Sequence, residues 1–237
     1  MTIDPTKLVF VAPANATAGS DTYGGAPATL SEMTSDVDGN EFADVTNEQR
    51  ISGLIDYRKQ YLYNKNTDPW VGIKAWISEN TPSEDDEITV CGAGRYSMLN
   101  TATSITTIPA THLSNTVIQI PSVVPINAVA PGEHVFDWDN DPSMANHREV
   151  VSVATDGSSN TLVTISASFG SATGTEFYLG ITPATMFTYA EHASKASGIY
   201  FETIEAGGCA GVWKRREVNA DSSGYYYNTL KMRWESE

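Results

Sequence analysis

Three aspartates alternate in the segment FDWDNDP, at Asp137, Asp139 and Asp141, and carboxylates at this spacing could hold a calcium ion. The calcium loop of helix–loop–helix proteins requires glycine at its sixth position and glutamate at its twelfth. Here Pro142 takes the sixth position and Arg148 the twelfth. The segment is therefore expected to form an aspartate-stabilised turn without metal, and calcium held by another kind of loop is the alternative.

Rows of aromatic residues are a second candidate, because exposed rings can stack on sugars. The same rings can instead pack into a core, where each buries a large apolar area. We expect core packing for most of them and keep Tyr225, Tyr226 and Tyr227 as possible surface or glycan contacts. The full set is Tyr57, Tyr61, Tyr63, Tyr225, Tyr226, Tyr227 and Trp234.

The remaining reactive residues form no recognisable catalytic or metal-binding motif. Histidines with the short spacings that bind zinc from one element are missing, and so are a nucleophile elbow, a phosphate loop and a dinucleotide fingerprint. The histidines are His112, His134, His147 and His192. We therefore expect a protein that is not an enzyme and has no cofactor.

Two cysteines occur in similar glycine-rich contexts, Cys91 in VCGAG and Cys209 in GGCAG. A disulfide between them is one possibility, because the sequence does not give their separation. Free cysteine is commonly buried, so we expect two small buried thiols.

Composition favours many short strands over long helices. Only 18% of the residues are charged, and 18 glycines and 11 prolines are spread along the chain. The formal net charge of −15 argues against a nucleic-acid surface, which needs clustered Lys and Arg, and against binding to an anionic membrane. The N-terminus has no signal-peptide pattern, and no apolar run reaches the ~20 residues that span a bilayer.

Alternation of side chains predicts the strands that position these residues. The pattern over 57–63 and again over 71–76 is typical of two strands joined by a turn, and we predict a β-hairpin there. The stretch 212–234 repeats the pattern, and we predict a second hairpin. Two hairpins far apart in sequence indicate one sheet closed by sequence-distant strands.

The middle of the chain differs in composition from both ends. Between 104 and 180 the only Lys or Arg is Arg148, and short Val-, Ile- and Thr-rich strands surround an Asp-Gly turn in TDGSSN at 155–160. We expect an antiparallel, jelly-roll-like β-sandwich with an inserted small antiparallel β module. The predicted parts are an N-terminal arm and first strands at 1–50, the main domain at 51–103 plus 181–237, and the insert at 104–180.

Several segments outside the insert resemble a family of tailed-phage virion structural proteins. They are FADV at 42–45, DYRKQYLYNKN at 56–66, WVGIKAWI at 70–77, EAGGCAGVWKRREV at 205–218, and the glycine-rich GGAPA at 24–28. The likeness covers roughly 20–100 and 199–235, and the middle of the chain departs from it. These motifs mark strands and turns, so they imply no catalytic residue.

The resemblance implies a structural component of a virus particle, made in the host cytoplasm and located in the virion. Its position could be a capsid decoration or the neck, tail or baseplate. The expected partners are major capsid or tail proteins and further copies of the chain, since such assemblies repeat one interface by symmetry. The alternatives are a carbohydrate-binding or host-recognition β module and, third, a calcium-stabilised β protein.

Overall fold

A computed structural model of the chain describes residues 4–16, 23–34, 41–80, 85–95, 107–124, 128–143, 145–181, 186–222 and 231–236. In these ranges the chain forms one short α-helix, α1, and two 3-10 turns, at Pro5–Lys7 and Lys195–Ser197. The strands are β1 Leu8–Asn15, β2 Gly24–Glu32, β3 Leu54–Asn64, β4 Trp70–Glu79, β5 Asp86–Ala93, β6 Thr107–His112, β7 Val117–Ile120, β8 His134–Asp137, β9 Arg148–Thr155, β10 Thr161–Ile165, β11 Glu176–Ile181, β12 Ile199–Ile204, β13 Cys209–Val218 and β14 Lys231–Ser236; α1 spans Asn47–Ser52. None of the helices in these ranges is long and apolar enough to cross a membrane.

The chain divides into two compact units. The first consists of residues 1–19, 27–91 and 189–237, and the second of 20–26 and 92–188. The second unit thus interrupts the first at 91 and 189, whereas the composition placed the insert at 104–180. In the region 1–50, predicted as an N-terminal arm and first strands, β1 lies in a sheet of the first unit.

The first unit is an antiparallel sandwich. One sheet has the order β2-β1-β3-β13-β5, and the other has the order β12-β4-β14. The longest ladder joins β3 to β13 through ten residue pairs, from Leu54–Val218 to Tyr63–Cys209. The predicted all-β class, with sequence-distant strands closing the sheets, is confirmed.

The first predicted hairpin is wrong, because β3 and β4 follow each other along the chain but belong to different sheets. For the second, the described end of the predicted strand, β14, also lies in a different sheet from β13, and residues 223–230 lie outside the described ranges. The loop at 65–69 is therefore an arch between sheets. Asn64 is fully buried at its start, and its side-chain amide donates to the carbonyls of Asp68 and Ile204, both at 2.9 Å. These bonds stabilise the loop where the chain crosses from one sheet to the other, because a buried amide needs hydrogen-bond partners.

Apolar side chains from both sheets fill the sandwich. One cluster takes Leu62 from β3 and Ile73 from β4, and a second takes Val212 from β13 and Ile77 from β4. This contact between facing strands is what joins the sheets, since burial of apolar area is the main favourable term in folding. The buried members are Leu8, Leu62, Trp70, Ile73, Ala75, Ile204 and Ala210 in the first cluster, and Ile77, Ile88, Val90, Ile199 and Val212 in the second.

The second unit contains a closed antiparallel barrel with the strand order β10-β7-β6-β11-β8-β9. Inward-facing residues alternate along its strands, as in β10, where Thr161, Val163 and Ile165 are buried. The predicted TDGSSN turn joins β9 to β10, and Asp156 accepts hydrogen bonds there from the backbone of Ser158 and Asn160, at 2.8 and 2.9 Å.

Excision of residues 92–188, with an Asn-Gly turn in their place, is expected to leave a folded sandwich. Val90 and Ala190 already form an antiparallel bridge, with N–O distances of 2.8 and 3.1 Å, so the two cut ends lie at hairpin distance. Circular dichroism and urea unfolding should show a β protein with one cooperative transition. Loss of that transition, measured beside the intact chain, would contradict the division into two units.

Candidate functional site

The aspartate turn follows β8 in the barrel, and Asp137 is its buried member. Its carboxylate accepts hydrogen bonds from the Asn140 backbone N–H at 3.2 Å, the Asn140 side chain at 2.7 Å and the Ser171 hydroxyl at 3.1 Å. The buried His112 lies 3.9 Å away through Nε2 and stacks on Phe177. Asp137 therefore holds this turn and a second loop together through neutral donors.

Asp139 and Asp141 bind other parts of the chain. Asp139 accepts from the backbone N–H of Tyr178 at 3.0 Å. Asp141 accepts from the Ser143 hydroxyl at 2.5 Å and the Asn146 N–H at 2.6 Å, and these bonds lower its pKa. The three carboxylates thus serve three sets of protein donors. Within the described ranges, no group of three or more His, Cys, Asp or Glu could hold a metal.

Calcium is expected to leave the melting temperature unchanged, because the three carboxylates already bind protein donors. If the native protein had a calcium site, free calcium at 100 times the dissociation constant would add about 2.7 kcal/mol to the free energy of unfolding. Thermal unfolding with excess calcium and with chelator checks this. A rise in melting temperature with calcium that disappears in D139N would instead establish the metal site.

An exposed apolar row next to this turn consists of Pro109 on β6, Tyr178 on β11 and Trp138, the residue that follows β8. Trp138 donates its backbone N–H to the Tyr178 carbonyl at 2.8 Å, and Tyr178 pairs with the exposed Pro109 on β6. Trp138 is 36% exposed and Tyr178 is 51% exposed. The sequence contained a signal for Tyr178, since EFYLG alternates with Phe177 and Leu179 inside and Tyr178 outside. Nothing local indicated that Trp138 would lie beside it.

The described members of the aromatic rows picked out from the sequence are buried or half-buried. Tyr61 is fully buried, Tyr57 contacts Tyr189 with ring centroids 5.8 Å apart, and Trp234 meets Phe10 edge-on at 5.0 Å. These rings stabilise the sandwich and offer no flat platform. Tyr225, Tyr226 and Tyr227 lie outside the described residues, so their role as surface contacts stays a prediction.

Both cysteines are free and buried, as expected from the sequence. Cys91 lies beside Tyr189, whose pKa is raised well above its usual value, first by burial and then by Cys91. A neutral phenol next to a buried thiol is an inert packing arrangement, since the thiolate is the reactive form of cysteine.

Two histidines of the barrel form a hydrogen-bonded pair. The Nδ1 atoms of His134 and His147 are 2.9 Å apart, and the rings meet edge-on at 4.8 Å. One ring must donate and the other accept, so the pair requires at least one neutral imidazole. Burial, followed by His147, lowers the pKa of His134, and Glu149 on the paired strand opposes this.

Acid is expected to destabilise the barrel through protonation of His134 and His112. The pKa of His134 is lowered on folding, and burial also lowers the pKa of His112, against the opposing effect of Asp137. The unfolded chain therefore binds protons more readily, and stability that is fully present above about pH 6.5 is lost as the pH falls below it. Melting temperatures at about pH 7.5 and about pH 5.5 check this. H134Q should flatten the dependence, whereas H192Q, in the other unit, should preserve it.

A buried ionic network lies on the inner face of the sandwich and consists of Glu41, Asp56, Arg58, Lys214 and Arg216. The β3–β13 register places Arg58 opposite Lys214 and Asp56 opposite Arg216. Asp56 accepts from Arg58 at 2.5 Å and lies 3.4 Å from Arg216, and Glu41 forms an ion pair with Lys214. The three cations are buried. The ionic network therefore places buried charged groups next to the apolar clusters inside the sandwich.

The segment before α1 covers this network. The Phe42 ring lies 4.7 Å from the Arg216 guanidinium and 5.3 Å from that of Arg58, within the range of cation–π attraction. The Ala43 carbonyl also accepts from Arg216, at 3.0 Å. Sequence reasoning missed this cluster, although alternation places Arg58 on the same face of β3 as the core residue Leu62.

Comparisons with protein-family models, with curated proteins and with solved structures found no match. The features of the described chain that bear on function are the edge strands of the sandwich, the exposed row on the barrel and the buried ionic network.

Proposed function

We propose that the chain is a non-enzymatic structural component of a tailed-phage particle, a capsid decoration protein or an accessory protein of the neck, tail or baseplate. It acts through protein–protein interfaces with major capsid or tail proteins and with copies of itself. The resemblance of the segments at 42–45, 56–66, 70–77 and 205–218 to such proteins supports this proposal. In the fold these segments form strands and turns of the sandwich.

The observation that carries the proposal is the contrast between open and closed sheets. In the described part of the chain the sandwich sheets end at β2, β5, β12 and β14, whereas the barrel closes on itself. The outer edge of β5 is already bridged at Val90 by Ala190. An edge strand presents backbone N–H and C=O groups that pair readily with a strand from another chain. The sandwich therefore offers the surfaces on which neighbours in a particle can add strands.

The proposal is tested by asking whether the chain co-purifies with intact phage particles. Particles purified on a density gradient should contain its peptides in a fixed ratio to the major capsid or tail protein. The ratio should be unchanged by a high-salt wash, since edge pairing depends on backbone hydrogen bonds more than on screened surface charge. Recovery of the chain only in the soluble lysate would contradict the proposal.

Light scattering on the purified chain gives an independent check on self-association. A closed oligomer whose mass is constant over a range of concentrations is expected if copies of the chain bind one another by symmetry. A monomer at every concentration would remove the self-association part and leave only binding to another virion protein.

A carbohydrate-binding or host-recognition module is the second candidate, and the exposed Trp138 and Tyr178 favour it. Large rings at a surface bordered by carboxylates can stack on a neutral sugar and accept its hydroxyl groups. Glycan-array binding should then fall on the order of tenfold, about 1.4 kcal/mol, in W138A and Y178A. Tyr200 is equally exposed, at 51%, but belongs to the sandwich, so Y200A is the matched control. Equal binding by all the variants would exclude this site.

A further inference from the structure

Lys214 meets both a carboxamide and a carboxylate inside the sandwich. Its Nζ donates to Gln60 Oε1 at 2.8 Å and forms an ion pair with Glu41. The Lys214 side chain is 4% exposed, and its Nζ lies 5.6 Å from the centre of the Phe10 ring. An amine, an amide carbonyl and a proton acceptor are therefore held together with little water.

The surroundings make it easier to remove a proton from the Lys214 ammonium. Burial lowers the pKa of Lys214, and the nearby Glu41 charge opposes that effect. In an apolar site a lysine–carboxylate pair can pass its proton to the carboxylate and become two neutral groups. The neutral amine has a free lone pair and is a nucleophile, as in enzymes that use a desolvated lysine.

Three lysines at the surface lack this environment. Lys65, Lys195 and Lys231 form ion pairs with Glu32, Glu235 and Glu79 at the surface, where all six side chains are at least 41% exposed. Water keeps these amines charged. Lys214 thus combines burial, a carboxylate and a carboxamide within reach of one nitrogen.

We propose that Lys214 and Gln60 form an intramolecular isopeptide bond, with Glu41 as the proton carrier. This modification goes beyond the proposed function and does not depend on it. It would link β3 to β13 covalently across the central ladder of the larger sheet.

The reaction balances without an oxidant or a cofactor. Glu41 takes a proton from the Lys214 ammonium, and the Nζ lone pair attacks Cδ of Gln60. The Nζ–Cδ bond forms, and Glu41 passes its proton to Nε2 and takes a second proton from Nζ. The Cδ–Nε2 bond then breaks, ammonia leaves, and the second proton passes from Glu41 to solvent or to the departing ammonia. The Glu41 side chain is 19% exposed, so solvent reaches the proton carrier itself.

The link would act on the unfolded chain much as a disulfide does. Gln60 and Lys214 are 154 positions apart, so the bond closes a long loop and removes conformations from the denatured ensemble. It would also persist under reducing conditions, in which a disulfide opens.

The intact mass of the purified full-length chain, denatured and reduced, tests the proposal directly. The mass should lie one ammonia molecule below the mass of the sequence. Trypsin cuts after Lys and Arg and cannot cut after a modified Lys214, so the digest should contain peptide 60–65 joined to peptide 196–215. An unshifted mass after prolonged incubation at neutral pH, with peptides 60–65 and 196–214 separate, would overturn the proposal.

Two variants test the roles of the residues. K214R should show no ammonia loss and no joined peptides. E41Q should keep the shape of the site but lose the proton carrier, so the joined peptide should fall at least tenfold in a folded protein. Glu217, which pairs with Arg215 at 2.6 Å near the surface, gives the matched control E217Q, with the link intact. A full yield of joined peptide in E41Q would overturn the role of Glu41.

Discussion

Replacement of Asp56 by alanine is expected to lower the free energy of unfolding by about 3–5 kcal/mol. Asp56 is the carboxylate between Arg58 and Arg216, two guanidinium groups that are almost entirely buried. Without it the two cations face each other across the β3–β13 ladder. Their remaining acceptors include the carbonyls of Tyr57 and Ala43, which satisfy N–H groups but carry no net charge.

Urea unfolding of D56A checks this expectation, with E217A as its control. Glu217 also pairs with an arginine on β13, but its side chain is 40% exposed. Surface pairs contribute about 0–1 kcal/mol, so E217A should change stability little. Similar small losses in both variants would show that water reaches the ionic network.

Truncation of Leu62 to alanine is expected to cost about 2–5 kcal/mol. Leu62 is fully buried on β3 and belongs to the cluster that also contains Ile73 of the opposite sheet. The cost combines lost burial with a cavity that neighbouring strands, fixed by their ladders, fill only partly.

The matched control for L62A is L113A. Leu113 lies at the end of β6 and is 41% exposed, so the same change of side chain leaves no comparable cavity. Denaturant midpoints with unchanged m values would assign the difference to the native core. Equal effects of the two substitutions would contradict the packing described for Leu62.

Local pattern was enough to find many strands but not their partners. The alternation of Tyr57, Lys59 and Tyr61 with polar neighbours indicated β3 correctly. The loop after it is compatible with a hairpin or an arch, and the choice depends on Asn64, whose amide bonds to a carbonyl 140 positions away. No short-range pattern contains that information, which is why the prediction of a hairpin at 57–76 failed.

The candidate site was predictable to a similar extent. The sequence FDWDNDP indicated an aspartate-rich turn, and the structure places one there. The donors that engage it include Ser171 and Tyr178, 34 and 39 positions from their aspartates, and only the closed barrel brings them there. The ionic network was missed because charged side chains are usually exposed, and burial of Arg58 depends on a distant strand and on the segment that contains Phe42.

The ladder between β3 and β13 also determines when the two units can fold during synthesis. Residues 54–64 leave the ribosome long before 209–218, so the central pairing of the sandwich must wait until the last part of the chain has emerged. The barrel strands all lie between 107 and 181, and every partner is available earlier. The barrel can therefore be complete on the nascent chain while β3, which can already pair with β1, still has no partner on its other edge. Until β13 arrives, that exposed edge of β3 is the segment on which a chaperone, or a neighbouring nascent chain, would act.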